Sequence, residues 1–197
     1  MKSIALSLTL LALLSACASP PTTFHQLRPA LPAAAAIPVL GASVMVGPAS
    51  LPAGLERPQL VVEDAAGNVE LLDLQRWAGP LDRMLTQAVA ADLSRALGLA
   101  SVYAYPQPGM GGGDVRVLLD VRQLRLRPGR DASLEVAWQA LPAQGDKKPL
   151  ASGYFLQSRP LATADAAAAT AGLQALVTDL SRRLAGELGP ALAGFKR

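Results

Sequence analysis

The sequence predicts an α+β domain in which a mostly antiparallel sheet carries two helices on one face. Two observations lead to this prediction. Short runs of alternating apolar and polar residues come in two groups, and each group is followed by an amphipathic helical pattern. In addition, 51% of the 197 residues are hydrophobic but only 4% are aromatic, which is sufficient for one packed and largely aliphatic core. The pattern contains no internal repeat and no second domain.

Three short runs have the composition of β-strands, at residues 43–47, 59–63 and 69–74. The five residues between the second and the third run, Asp64 to Asn68, are typical of a tight turn. The second and third runs are therefore predicted to form a β-hairpin.

The first helix is predicted from Pro80 to about Leu97. Apolar side chains recur along it at spacings of three and four residues, and charged side chains take the opposite face. Proline is favoured at the first position of a helix, and Gly98 provides the left-handed residue that commonly follows the last turn. The apolar face of this helix should cover a sheet.

The second group of strands begins at Val115, and its apolar phase slips by one residue near Arg122 and Gln123. A β-bulge is the simplest cause of such a slip. A turn at residues 128–131 leads into an antiparallel partner strand, and residues 151–158 supply a further strand.

The second helix is predicted to begin after Thr163, acting as the N-cap, and to end near Leu188, before Gly189 and Pro190. A stripe of leucines recurs along it with helical spacing. We expect this stripe to pack on the same core as the first helix.

The N-terminus has the pattern of an export signal. Lys2 provides a positive start, and residues 4–14 form an apolar run that is too short for a bilayer, which needs about 20 residues. Small residues then precede Cys17, the only cysteine of the chain. This arrangement resembles the lipobox of bacterial lipoproteins, in which the signal is cut before the cysteine. The resemblance implies that Cys17 carries a diacylglycerol and an N-acyl chain.

The predicted organisation follows from this resemblance. Residues 1–16 form the signal peptide, residues 17–42 form the lipidated N-terminus and a proline-rich tether, and residues 43–197 form the domain. Within the tether, residues 24–27 alternate in polarity like a short edge strand, which would direct His25 to solvent. In enterobacterial lipoproteins Asp after the cysteine favours retention in the inner membrane, so Ala18 implies the outer membrane, facing the periplasm.

Composition argues against several other classes of function. The net charge of +3 is scattered along the chain, so nucleic-acid binding is not expected. A single His and a single Cys leave little material for a metal site or a Ser/His pair, and we expect no metal and no other cofactor. Binding or scaffolding therefore becomes the first hypothesis.

Two alternatives to a scaffold remain open at this point. One is an envelope lipoprotein that acts as an enzyme or inhibitor on peptidoglycan or lipid, which clustered ionisable residues in a deep cleft would favour. The other is a protein that itself carries lipid, which would need an apolar cavity between the sheet and the helices.

Several motifs together resemble the PqiC/YmbA (paraquat-inducible protein C) family of auxiliary lipoproteins for ABC-type transport. The matching stretches are Phe24 to Leu27, Leu51 to Val61, Arg76 to Leu81, Val115 to Leu124 and Leu134 to Trp138. The run R-P-Q-L-V followed by R-W-A-G-P-L is the most specific part. One departure is Gly79, which stands where an acidic residue is frequent in the family.

The resemblance implies a non-enzymatic, periplasm-facing lipoprotein that works with an MCE-domain protein and an ABC-type complex in lipid transport and membrane integrity. It also implies a docking role against the MCE partner and an assembly into a homo-oligomeric ring. The candidate contact residues are those of the specific motif, namely Arg57, Pro58, Gln59, Trp77 and Pro80. A structural alternative makes Trp77 and Trp138 large fillers of an aliphatic core, and makes Arg57 a salt bridge or cap of its loop.

Overall fold

The structure, a computed structural model, describes residues 20–33, 42–107, 112–144 and 148–195. Within these ranges it confirms the predicted α+β fold. The strands are β1 (Thr23–His25), β2 (Val44–Ser50), β3 (Gln59–Glu63), β4 (Val69–Trp77), β5 (Val102–Ala104), β6 (Val115–Arg127), β7 (Asp131–Pro142) and β8 (Ala151–Pro160). The helices are α1 (Leu81–Leu97) and α2 (Ala166–Ala193).

The strands form two mixed sheets. A five-stranded sheet has the order β5-β2-β6-β7-β8, and a three-stranded sheet has the order β1-β4-β3. β2 runs parallel to both of its neighbours and β1 runs parallel to β4, whereas the remaining pairs are antiparallel. The sheets are thus mixed rather than purely antiparallel, although the long ladders β6–β7 and β7–β8 are antiparallel. The residues of β2 and β1 alternate like those of any strand, so the sequence pattern does not reveal their distant parallel partners.

Both helices cover the five-stranded sheet and contact each other. α1 packs on β2 and β5, and α2 packs on β7 and β8. Their apolar stripes meet the inward residues of the sheet in one aliphatic core, in which Leu85, Leu134 and Leu176 are fully buried. The hairpin of β3 and β4 lies against β6. These contacts leave the opposite face of the five-stranded sheet uncovered at residues such as Asp120 and Gln139.

Most local features agree with the sequence prediction. The β3–β4 and β6–β7 hairpins form, and the β6–β7 register shifts between Val121 and Gln123, which confirms the predicted bulge. Gly98 ends α1 with a φ of 64°, a conformation that glycine adopts without steric cost. Pro80 is the N-cap of α1 rather than its first residue.

The ends of α2 differ from the prediction. Asp165, not Thr163, is the N-cap, and its carboxylate accepts a hydrogen bond of 2.7 Å from the Ala168 amide. Thr163 instead donates its hydroxyl to that carboxylate at 2.6 Å. The helix also continues through Pro190 to Ala193 because Leu192 extends the buried leucine stripe.

Part of the range predicted as a tether is folded against the domain. The predicted edge strand exists as β1, at residues 23–25 instead of 24–27. Leu27 and Leu31 are buried after it. The buried carboxylate of Asp92 in α1 accepts hydrogen bonds from the amides of Ala30 (2.7 Å) and Leu31 (2.8 Å). The N-terminal segment is therefore fixed to α1 by both apolar and polar contacts.

Two aspartates, Asp131 and Asp179, form ion pairs that connect elements and predict a pH dependence. Arg127 binds Asp131 through two hydrogen bonds of 2.6 Å across the β6–β7 turn, and these bonds hold the pKa of Asp131 below its usual value. Partial burial acts to raise the pKa of Asp179, but hydrogen bonds from Arg159 on β8 and Arg182 on α2 outweigh it and lower that pKa.

We therefore expect the domain to be less stable in acid. Because the folded carboxyls have lower pKa values than the unfolded ones, these pairs contribute fully above about pH 4 and their contribution is lost as the pH falls below that value. Urea unfolding between pH 7 and pH 3 measures the effect. Asp131→Asn should make the free energy of unfolding depend less steeply on pH, whereas Glu70→Gln should not. If the free energy of unfolding of Asp131→Asn fell as steeply in acid as that of the parent protein, the assignment would be contradicted.

Candidate functional site

The two halves of the specific motif lie side by side in the structure. Arg57 and Pro58 lead into β3, and the Pro58 carbonyl accepts a hydrogen bond of 2.7 Å from the Trp77 amide at the end of β4. Gln59, the first residue of β3, is aligned with Arg76. Proline at this position leaves the ladder intact because its missing N–H lies at the start of the strand. The pairing thus places two sequence segments next to each other.

A cavity of about 380 Å³ opens between these segments and the start of α1. Its walls include Arg57, Pro58, Trp77 and Pro80, which are four of the five residues predicted from the motif. The other lining residues are Glu56, Gly79, Leu81 and Asp82. Gln59 does not line the cavity, and its place is in the ladder behind it. We name this cavity the Trp77 pocket.

Trp77 is both a core residue and a wall of the pocket. It is only 4% exposed, and its indole meets the His25 ring edge-on with ring centres 6.4 Å apart. Trp138 is 2% exposed. The interpretation of the two tryptophans as large fillers of the core is therefore correct for both, and Trp77 carries a second role as pocket wall.

His25 does not point freely into solvent as the sequence pattern predicted. It is half-buried, its Nε2 lies 2.7 Å from Gln75 Oε1, and its Nδ1 lies 3.3 Å from Thr170 Oγ1. The reason is the parallel pairing of β1 with β4, which aligns His25 with Trp77 and turns the imidazole towards α2. The alternating pattern alone could not show this partner.

Arg57 is exposed at the mouth of the pocket. Within the described ranges, its guanidinium forms neither an ion pair nor a hydrogen bond, so the salt bridge or cap considered for it is not found. Arg57 also lines a neighbouring depression between the β3–β4 hairpin and β6. A cation at this place is available to a group from outside the domain.

Gly79 makes the pocket wider than an acidic residue would. A Cβ atom built at Gly79 meets no other atom within 4 Å, and the residue lines the pocket. A side chain at this position therefore has room beside the cavity and does not disturb the core. This departure from the family pattern leaves more apolar space beside Trp77 and Pro80.

A larger depression of about 740 Å³ lies on the uncovered face of the five-stranded sheet, and sequence reasoning missed it. Asp120 is the only carboxylate among its lining residues, and it accepts a hydrogen bond of 2.8 Å from the Ser50 hydroxyl. The guanidinium of Arg122 lies 5.8 Å from the centre of the Tyr154 ring. Only the strand register brings these residues together, so no local sequence signal could have indicated them.

A hydrogen bond also perturbs one titratable group beside this depression. The Tyr154 hydroxyl donates to Glu135 Oε1 at 2.7 Å, and this bond raises the pKa of Tyr154. A raised pKa keeps the phenol protonated at neutral pH. The arrangement therefore fixes the Tyr154 ring beneath Arg122 and does not activate it as a base.

The described residues contain neither a metal-binding cluster nor a membrane-spanning helix. No group of three or more His, Cys, Asp and Glu side chains lies close enough there to hold a metal ion. None of the helices in these ranges is long and apolar enough to cross a membrane. Cys17, the predicted acylation site, lies outside the described residues.

Comparisons with known proteins address the fold and the family. The model of a family described as "ABC-type transport auxiliary lipoprotein component" matches residues 25–185. A crystal structure of a Xanthomonas campestris protein of family DUF330 is similar with a TM-score of 0.69 and 21% identity, over 84% of this chain and 93% of that chain. A second crystal structure, of a protein described as uncharacterized, has a TM-score of 0.67 and 16% identity, over 86% and 99% of the two chains. No curated protein matches significantly.

Proposed function

The chain belongs to the family of ABC-type transport auxiliary lipoprotein components, which confirms the resemblance drawn from its motifs, and on this premise we propose that it is a non-enzymatic docking subunit of an envelope lipid transport system. Acylation of Cys17 holds it on the outer membrane, facing the periplasm. Its domain binds an MCE-domain protein that belongs to the same transport system. In this role it supports the integrity of the membrane.

The observation that carries the docking role is the Trp77 pocket. Four motif residues from two separate segments converge on one cavity, and the cation at its mouth has no partner within the described part of the chain. Binding energy at protein interfaces concentrates in such pockets, where an apolar anchor is surrounded by a polar rim.

The lining of the pocket indicates what it binds. Pro58, Trp77 and Pro80 supply apolar surface that fits an apolar side chain of the partner. Arg57 at the mouth offers its guanidinium to a carboxylate or a backbone carbonyl next to that side chain. A protruding loop or helix end with an apolar residue followed by an acidic one matches this chemistry.

Filling the pocket should abolish capture of the partner while leaving the fold intact. We expect Gly79→Leu to lower the amount of MCE-domain protein that is co-purified from detergent-solubilised envelopes and identified by mass spectrometry. Arg57→Glu should weaken the interaction by about 2 kcal/mol, the lower bound for an interface hot spot. Gly186→Leu is the matched control because a Cβ at Gly186 also meets no atom within 4 Å.

Two results would contradict the docking proposal. One is that the parent protein captures no MCE-domain protein. The other is that the Gly79→Leu variant captures as much as the Gly186→Leu variant. Circular dichroism of both variants establishes that each is folded.

The anchor is tested separately from the docking. Cys17→Ser should release the domain from membranes and abolish transport-linked detergent resistance, with an unchanged thermal unfolding profile. Mass spectrometry of the N-terminal peptide should find a diacylglyceryl group and an N-acyl chain on Cys17, and an unmodified thiol would exclude the anchor. The homo-oligomeric ring stays a prediction, which the mass of the detergent-solubilised protein tests.

A further inference from the structure

The folded domain begins very close to the proposed anchor. β1 starts at Thr23, only six residues after Cys17, and that stretch spans at most about 22 Å when fully extended. A domain of this size is roughly 40 Å across. The stretch between Cys17 and β1 is therefore shorter than the domain that it holds. The side of the domain where β1 begins must face the bilayer that contains the acyl chains.

An aromatic side chain lies exposed on this side. Phe24 is 64% exposed although it belongs to a paired strand. It is aligned with Arg76 of β4, and residues that are paired in register share one face of the sheet. Phe24 also lines a shallow depression of about 620 Å³ together with Arg28, between the N-terminal segment and the start of α2.

Two arginines lie beside Phe24, Arg28 in the lining of the depression and Arg76 on the neighbouring strand. Arg28 is the only permanently charged residue in the lining of that depression, which contains no carboxylate. Arg28 and Arg76 form no ion pair within the described ranges, and Arg76 Nε donates to the Asp73 carbonyl at 2.9 Å. We define Phe24, Arg28 and Arg76 as the β1 face. An exposed aromatic ring flanked by two unpaired cations is complementary to an anionic phospholipid surface.

We propose that the β1 face lies on the phospholipid headgroups of the bilayer that holds the acylated Cys17. Phe24 enters the interfacial layer, and Arg28 and Arg76 bind lipid phosphates. The inference rests on the acyl anchor of the proposed function, because the short stretch between Cys17 and β1 directs this face to the lipid. It adds a second membrane contact and a fixed orientation, which acyl chains on a flexible tether would not give.

The experiment uses the full lipoprotein, reconstituted in vesicles of phosphatidylethanolamine and phosphatidylglycerol. In the acylated chain the Cys17 sulfur is a thioether, so an introduced cysteine is the single free thiol for a nitroxide label. The test position is Phe24→Cys. The control is Val69→Cys, because Val69 is 66% exposed and lies at the opposite end of β4, roughly 20 Å from Arg76 along the strand.

We expect the label at position 24 to collide several-fold more with lipid-dissolved oxygen than with an aqueous nickel complex, and the label at position 69 to show the reverse. Replacing phosphatidylglycerol with phosphatidylcholine should weaken the contact at position 24. The double variant Arg28→Glu with Arg76→Glu should weaken it as well. Arg116→Glu, which changes an exposed arginine outside the β1 face, should leave it unchanged.

The outcomes separate this inference from the anchor. If mass spectrometry finds Cys17 unmodified, both the anchor and the β1 face contact are overturned. If Cys17 is acylated and positions 24 and 69 give equal collision ratios, only the β1 face contact is overturned. A label at position 24 that is shielded from both oxygen and nickel indicates contact with protein and also overturns it, as does a contact that the double charge reversal leaves unchanged.

Discussion

Replacing Trp77 with alanine is expected to lower the free energy of unfolding by about 3–5 kcal/mol, the usual cost of truncating a buried tryptophan. The indole is 4% exposed and lies edge-on to His25, at the junction of β4 with β1. Its removal leaves a cavity that opens into the Trp77 pocket, so the apolar anchor site is lost together with the packing. Urea unfolding of the purified domain measures the first effect, and partner capture measures the second.

Trp77→Phe is the control for this prediction. It keeps an aromatic ring in the wall and should recover more than half of the stability lost in the alanine variant. If Trp77→Ala does not fold, Trp77→Leu provides a folded intermediate for the same comparison. A loss of less than about 0.5 kcal/mol for the alanine variant, the size of an ordinary surface effect, would show that Trp77 does not hold β4 against β1.

The second large effect is expected for Asp92→Ala. Asp92 is fully buried in α1, and one of its carboxylate oxygens accepts hydrogen bonds from the amides of Ala30 and Leu31. A typical hydrogen bond contributes about 0.5–1.5 kcal/mol, and the loss of these two leaves the Leu31 amide buried without an acceptor, which costs about 1–3 kcal/mol more. We expect destabilisation by roughly 3 kcal/mol, with release of the segment that connects Cys17 to the domain.

Hydrogen exchange distinguishes this local release from general weakening. The amides of Ala30 and Leu31 should exchange much faster in Asp92→Ala, while those in the β6–β7 hairpin change only by the global loss. Asp92→Asn keeps the accepting oxygen, but its NH₂ replaces Oδ2, which has no hydrogen-bond partner among the described residues. It should therefore lose less stability than Asp92→Ala and keep the amides of Ala30 and Leu31 protected. Unchanged exchange at Leu31 in the alanine variant would contradict the assignment.

Elements whose signals are local could be predicted from the sequence. The two hairpins, the bulge after Val121 and the end of α1 at Gly98 each depend on residues within a few positions, and all are found. The parallel partners of β1 and β2 could not be predicted, because alternation shows that a run is a strand but not which strand lies beside it. The N-cap was misplaced by two residues because Thr163 and Asp165 are both good capping residues.

For the candidate site too, the sequence identified residues but not how the fold brings them together. The motif residues were recognised by resemblance, and Arg57, Pro58, Trp77 and Pro80 lie around one pocket. The pocket itself was not predicted, since it depends on the hydrogen bond between the Pro58 carbonyl and the Trp77 amide. Gln59 belongs to the motif, but it pairs with Arg76 in the β3–β4 ladder and does not line the pocket.

The place of β2 between β5 and β6 has a consequence for the order of folding. Val44 is aligned with Val102 on one side and with Val115 on the other, so both neighbours of this strand are synthesised much later. Closing such distant pairs costs chain entropy before any contact compensates for it. The N-terminal third of the polypeptide therefore has no finished sheet to join while it emerges from the ribosome. For a lipoprotein that is exported as proposed above, this late pairing would leave the sheet unfinished until the last strands have crossed the membrane.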